Sequence, residues 1–389
     1  MQINLRQLSI LPCILMMVIA MQASFDFTAI KMQMASYVAL AIMILGAMFS
    51  FMLIAYQKTI SLIDLLVIFF VSFILLSSVS HATDFKNWFY QCLSICCVYF
   101  AFNFYRERLH PLIIGLALGF SIGIFLQLYQ LIIQPEIWMI PGKRELSSYL
   151  LGGNYNQMGM RLILALIFDI LCIKISRWFY FLLLPCILLS IAIPLMVGSM
   201  TATTCIILFL ILCAIPNHRM RLLGISGILV AVSLFQVFVC FNGKGIEDNE
   251  LMVWFIEDVL GKDITFTYRT YMWDSALQVI SQSPIIGHGF PSKEWYLVNM
   301  SSLAIGPHNI ILAILIYGGV VGFILYMFFL FRSFLILKAI RDYWADVILL
   351  GIAVACVMML MEVYPVNLIF MLFAIAEYYP IFREQQSNE

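Results

Sequence analysis

The chain has 389 residues, of which 63% are hydrophobic and only 11% charged, and its 21 basic and 21 acidic side chains cancel. A soluble domain is about half apolar and about a quarter charged, so that class is excluded, and zero net charge gives no ground for nucleic-acid binding or an acidic partner. A mean hydropathy of +1.01 over apolar runs of roughly 20 residues indicates an all-α polytopic membrane protein; barrel strands instead alternate apolar and polar residues.

In chain order the apolar runs lie near 8–24, 34–55, 60–79, 87–105, 111–133, 158–173, 178–197, 199–215, 221–241, 309–331, 345–363 and 365–382, about twelve candidate transmembrane helices. Pro194 and Gly198 mark the turn between the seventh and eighth, and Pro365 divides the last two. No small-x-small cleavage site follows the first run, which is therefore expected to stay as a helix. With the amino terminus inside, the short inner loops hold Lys58, Arg106, Arg108, Lys174, Arg177, Arg219, Arg221, Arg332, Lys338 and Arg341, joined by Arg6 and Arg383 at the two ends. Basic residues concentrate in short cytoplasmic loops, so both termini are expected in the cytoplasm. Residues 1–241 then carry spans one to nine, with an external loop at about 134–157. A large external loop with short interfacial helices covers 242–308, and 309–389 hold spans ten to twelve and a cytoplasmic tail. The ten cysteines all fall in apolar runs without metal-site spacing and read as small buried side chains. No metal or cofactor is expected.

Long loops are usually functional, and two occur here. The first, "QPEIWMIPGKRELSSYLLGGNYNQ", carries Lys143 and Arg144 beside Pro141-Gly142, then Gly152, Gly153, Asn154 and Asn156 just ahead of Arg161. An arginine one turn into a span costs at least about 2.5 kcal/mol on insertion scales, so it faces a cavity or snorkels to the helix end. The second loop opens with "GIEDNELMVWFIEDVLGKD", where Leu251, Trp254, Phe255 and Val259 share one face of a short interfacial helix. In "TFTYRTYMWDSALQVISQSPIIGHGF" the set Tyr268, Met272, Ala276 and Val279, and the set Trp273, Leu277 and Ile280, recur at helical spacing up to Ser283-Pro284. Arg269 either pairs with Asp274 or snorkels, or its planar fork grips a phosphate. "GHG" at 287–289 gives a flexible turn by which backbone approaches a ligand closely.

"GPHNIILAILIYGGVVG" (306–322) sets His308 and Asn309 at the lip of span ten. A neutral imidazole accepts a proton from a hydroxyl near pH 7; the competing reading is a structural hydrogen-bonder. Asn309 is expected to orient that ring or a bound hydroxyl. Gly318, Gly319 and Gly322 let a neighbouring helix or a lipid chain pack close.

"YRTYMWDSALQVISQSPIIGHGF" followed by "GPHNIILAILIYGGVVG" resembles the O-antigen ligase/polymerase superfamily of bacterial envelope glycan assembly. The second stretch fits that family's pattern of His, then Asn, Ser or Gln, nine residues, Gly, two residues and a small residue, here His308, Asn309, Gly319 and Gly322. The twelve-span layout and the large loop between spans nine and ten are similar too. The resemblance implies an inner-membrane glycosyltransferase, periplasmic at its active face, acting on an undecaprenyl-pyrophosphate-linked oligosaccharide without nucleotide or metal. It implies His308 and Arg269 as catalytic, and Arg161, Asn154, Asn156, Trp273, Gly287, Gly289 and Asn309 as substrate contacts. Ligases of the family carry an arginine at the start of span eight, where "GSMTATTCIILFL" has Thr201. That departure and the Arg269-to-Trp273 run favour an O-antigen polymerase, with a chain-length-regulating co-polymerase as partner. "IGPHN" looks ligase-like, and an O-antigen ligase is the alternative. A flippase is the alternative of another class; against it stand the absence of duplicated halves and the expectation that Asp64, Asp169 and Glu377 lie nearer helix ends than mid-membrane.

Overall fold

The computed structural model describes residues 10–26, 33–56, 59–81, 85–140, 142–143, 147–259, 263–266, 268–300 and 306–387. Arg6, Lys58, Arg144 and Pro141, and the side chains of Phe255 and Val259, lie outside what is described. Long helices occupy all twelve apolar stretches. They are α1 (Ile10–Ser24), α2 (Gln33–Tyr56), α3 (Leu62–Ser80), α4 (Phe85–Phe104), α5 (His110–Ile133) and α6 (Gly159–Ile175). The second half comprises α7 (Tyr180–Met196), α8 (Met200–Ala214), α9 (His218–Phe235), α10 (Ile310–Ala339), α11 (Tyr343–Met361) and α12 (Val366–Ser387). Among the described residues, seven stretches suffice by length and composition to cross a membrane: α3, α5, α7, α9, α10, α11 and α12 with their short extensions. Among the described residues the only β pairing is two isolated bridges, Phe25 with Leu151 and Tyr149 with Gly153. The chain is an all-α polytopic membrane protein.

Local chemistry sets where the helices start. Ser61 and Asp64 form a reciprocal capping box on α3, with 2.9 Å from Ser61 N to Asp64 Oδ2 and 3.2 Å from Asp64 N to Ser61 Oγ. Asn217 and Asp342 accept from first-turn amides of α9 and α11. Gly198, at φ 71°, makes the turn between α7 and α8. The bundle centres on α11 and α12, whose membrane-length stretches are 83% and 78% buried, while α7 and α9 are peripheral at 28% and 17%. α1 lies along α5, α5 against α6, and α9 against α11.

Two carboxylates depart from expectation. Glu377 stands at the middle of α12 (Val366–Ser387), where both its oxygens accept from Arg332 at 2.6 and 2.7 Å. Asp169 is fully buried, and both its oxygens accept from Ser121 Oγ, at 3.0 and 2.9 Å. Ser121 stands halfway along α5, so Asp169 lies well inside the bundle rather than near a helix end. A buried carboxyl persists there because the facing hydroxyl satisfies it.

The large loop is tied to the bundle by a break in α10. At Gly319 the backbone turns to φ 56°, ψ −156°, a conformation open only to glycine. The break frees the carbonyls of Ile316 and Tyr317, which accept from His288 N (2.6 Å) and Gly289 N (3.0 Å), while Val320 N donates to Pro284 O (2.8 Å). The loop thus supplies bonds that the helix lacks, as a bilayer requires. Gly287, at φ 70°, leaves room for this contact: a Cβ there would stand 2.6 Å from Ile316 O and 2.7 Å from Gly318 N. Gly287→Ala is therefore expected to cost about 2 kcal/mol or more, by forced φ and overpacking together. Gly227→Ala, in open space on α9, should leave the melting temperature in detergent unchanged or raised. Equal melting temperatures for the two variants would remove the loop–helix junction from the stability of the fold.

Candidate functional site

At the end of the bundle where α10 begins, a cavity of about 360 Å³ opens between the large loop and the α11–α12 joint. One wall carries His308, Lys293 and Tyr296; the other carries Gln91, Gln157, Glu362 and Tyr364. His308 is held at φ 47°, a left-handed conformation uncommon outside glycine, between Pro307 and the first turn of α10. Its Nδ1 lies 3.3 Å from Oε1 of Glu362, close enough for an ion pair, although the angle falls short of a formed hydrogen bond. The pair is mostly shielded, with side chains 17% and 10% exposed.

A second cavity of about 270 Å³ shares Gln91, Gln157 and Pro365 with the first and is lined further by Asp26, Gly152 and Arg161. Arg161 is buried, as an arginine in a span should be when it has partners. Its Nε donates to Ala23 O at 3.1 Å and a terminal nitrogen donates to Gln157 O. The guanidinium lies against Gly152, which at φ 82° has no room for a Cβ: one would sit 2.8 Å from Arg161 Cζ. Two backbone bonds leave donors of its five-donor fork available on the cavity side.

Tyr364 joins the two halves. Its hydroxyl donates to Asn156 O at 2.9 Å. Burial holds this phenol far above its ordinary range and the Glu362 carboxylate pushes the same way, while the charges of Arg161 and Arg269 oppose them. The phenol stays protonated, and the two arginines and one carboxylate act on one point at the seam of the cavities.

The expected site residues divide. His308 and Arg161 line the cavities. Arg269, first residue of the loop helix Arg269–Gln282, lines neither, but its charge reaches Tyr364; among the described residues it has no carboxylate within 4 Å. Asn154 and Asn156 build the turn ahead of α6: Asn154 Oδ1 accepts from Asn156 N at 3.0 Å, and Asn156 Oδ1 accepts from Ser199 Oγ at 3.5 Å. Trp273 is fully buried between Phe235 and Phe266 and lines neither cavity, so it packs the loop helix onto α9. Gly287 and Gly289 approach backbone closely, as expected, but the backbone is that of α10 and of Ser78 on α3. Asn309 faces away from the cavity. Its Oδ1 accepts from Leu312 N at 3.0 Å, and its Nδ2 donates to Gln236 Oε1 at 2.8 Å and Leu360 O at 3.2 Å. It caps α10 and ties it to α9 and α11.

Residues 184–327 match the family model described as O-antigen ligase. The chain is 34% identical over 61 residues to an O-antigen ligase of Pseudomonas aeruginosa, spanning 16% of this chain and 15% of that protein. It is 29% identical over 117 residues to a putative polysaccharide ligase of Rickettsia felis, spanning 27% of this chain and 28% of that protein. Residues 184–327 are thus similar to the O-antigen ligase family, and the two relatives carry ligase names. Both matches cover well under two thirds of the relatives' length. The stretch matched to the superfamily holds His308, Arg269 and Lys293. Gln91, Gln157, Arg161, Glu362 and Tyr364 come from outside it.

Those outside residues, with Lys293, are what sequence reasoning missed, apart from Arg161. The available signal was "MEVYPVN": Glu362 and Tyr364 in a four-residue joint between two apolar helices, at the same end as the long loops. Because Asn309 is spent on internal bonds, Asn309→Ala is expected to lower stability by about 2 kcal/mol, measured as a fall in melting temperature in detergent. An unchanged melting temperature with activity lost would return Asn309 to substrate contact.

Proposed function

We propose that this protein is a membrane glycosyltransferase of the ligase type, moving glycan from a lipid-pyrophosphate donor onto an acceptor hydroxyl at the outer face of the bacterial inner membrane. The observation that carries the reading is the His308–Glu362 pair, 3.3 Å apart, on the wall of a cavity that also holds Lys293 and adjoins Arg161. His308 Nε2 takes the proton of the acceptor hydroxyl, while Glu362 holds the Nδ1–H tautomer and steadies the imidazolium, as carboxylates do for catalytic histidines. The acceptor oxygen bonds to the anomeric carbon as the bond from that carbon to the pyrophosphate oxygen breaks. The leaving pyrophosphate gains charge, and Lys293, Arg161 and the nearby Arg269 offset it. Gln91, Gln157 and the protonated Tyr364 offer donors and acceptors to sugar hydroxyls.

The ligase reading is supported by the names of the two relatives. A second reading, O-antigen polymerase with a chain-length partner, is supported by Thr201: it stands exposed on the first turn of α8, where family ligases have arginine. Deleting the reading frame and running lipopolysaccharide gels separates the two. Bare core with polymer stranded on the lipid carrier is the expected result, and core bearing one repeat unit would replace it with the polymerase reading. In the purified enzyme, His308→Ala is expected to slow transfer about 10²–10⁴-fold and Glu362→Gln by up to about 10⁴-fold through the wrong tautomer. Full activity in Glu362→Gln would remove the carboxylate from the mechanism, and full activity in His308→Ala would end the base assignment.

A further inference from the structure

α9 and α10 run side by side yet leave an apolar cleft of about 420 Å³ between them, floored by α11. Leu229 and Val232 of α9 face Phe323, Met327, Leu330 and Phe334 of α10 across it. The end of the same helix pair farthest from His308 opens into a second cavity of about 580 Å³, lined by His218, Arg219, Lys338 and Arg341 with Asn217 and Leu222. The two spaces meet on α10, where the Lys338 ammonium sits 5.4 Å over the Phe334 ring.

Four other cations at this end are spent: Arg221 on Asp346 at 2.7 Å, Lys174 and Arg383 on Asp342 at 3.8 and 3.4 Å, and Arg332 on Glu377 at 2.6 Å. Arg106, Arg108 and Arg177 also lie at this end, but none of them lines this cavity. His218 shares Asp346 at 2.8 Å. Arg219, Lys338 and Arg341 have no carboxylate within 4 Å among the described residues. Three unpaired cations around one cavity call for an anion. The apolar cleft one helical turn away means that this anion carries hydrocarbon.

On α10 the cleft is lined from Ile310 to Phe334, about 36 Å of helix at 1.5 Å per residue. Its part next to the basic cavity, Phe323 to Phe334, spans about 16 Å, close to half of a hydrocarbon core about 30 Å thick. We propose that the cleft and the basic cavity together seat one anionic phospholipid, with its chains between α9 and α10 and its phosphate among Arg219, Lys338 and Arg341. Basic pockets between spans are a known physical solution for lipid headgroups. The phosphate end of the seat lies at the opposite end of α10 from His308, roughly 45 Å away along the helix, and none of its three cations lines the cavity of His308. An occupant there fills the space beside α9, the least buried of the membrane-length stretches.

The full chain in detergent, titrated with phosphatidylglycerol or phosphatidylcholine of identical chains, tests this by native mass spectrometry. One retained phosphatidylglycerol, preferred at least about ten-fold over phosphatidylcholine, is expected. Replacing Arg219, Lys338 and Arg341 together by Gln should weaken its retention about 100-fold, at roughly a ten-fold factor or less per cation. Met327→Trp, which fills the cleft and spares the cations, should also lose the lipid while the protein keeps its melting temperature. Inorganic phosphate and a short-chain phosphatidylglycerol serve as competitors for the headgroup alone, and neither should displace the long-chain lipid at matched concentration. Equal retention of the two lipids, retention unchanged in the triple variant, or displacement by phosphate would each overturn the proposal.

Discussion

A helix that breaks inside a bilayer leaves carbonyls and amides with no water to receive them, and each unsatisfied group costs several kcal/mol. α10 breaks at Gly319, and segment 284–289 of the large loop supplies the missing partners. Much of the site depends on this exchange. Once His288 and Gly289 are bonded to Ile316 and Tyr317, the chain must continue through Phe290, which stacks on Tyr317 at 4.3 Å, into Pro291 and Lys293 on the cavity wall. His288 is fixed further by donating Nε2 to Val279 O at 3.0 Å and by packing against His81 and Trp295. Burial lowers its pKa, which keeps the ring neutral and suited to that packing. The loop is therefore a fixed wall, held by backbone bonds that no side-chain replacement on its surface removes.

Far from His308, two carboxylates are spent on cations: Asp346, buried, on Arg221 at 2.7 Å, and Glu377, half-buried, on Arg332 at 2.6 Å, so those pairs hold helices together and are poor candidates for chemistry. Near His308 the polar groups converge without saturating. Glu362 and His308 approach without a well-formed bond, Arg161 spends two donors on backbone, and Lys293 projects from a loop helix. Unsaturated polar groups in a shielded cavity are costly to stability and persist where a substrate completes them.

Much of the architecture was legible from periodicity and punctuation alone. Runs of apolar residues located the helices, Ser283-Pro284 ended the loop helix, and Gly198 and Pro365 divided helices otherwise continuous in composition. The side-chain assignments were less legible because a sequence does not reveal which way a polar group faces at a helix lip. Asn309 has the composition of a site residue but the geometry of a cap. Trp273 follows an arginine at helical spacing, yet its indole is enclosed by Phe235 and Phe266. Glu362, Tyr364, Gln91 and Gln157 were passed over because each is an ordinary residue locally, and only the fold brings them together from α4, the turn before α6 and the α11–α12 joint.

That division bears on how one framework serves different acceptors. The stretch matched to the O-antigen ligase family, 184–327, contributes His308, the loop that braces it and Lys293. The facing wall comes from segments outside the match: Glu362 approaches His308, while Gln91, Gln157 and Tyr364 present amide and hydroxyl groups to the cavity. Hydrogen bonds to substrate hydroxyls discriminate far more strongly than apolar contacts, because an analogue lacking the group leaves a buried partner unpaired. Under the glycosyl transfer proposed above, variation at Gln91, Gln157 and Tyr364 would change which acceptor is accepted while His308 and its loop stay the same. On that proposal, the choice between a finished lipid core and another repeat unit would belong to α4, the α6 turn and the α11–α12 joint more than to the histidine lip of α10.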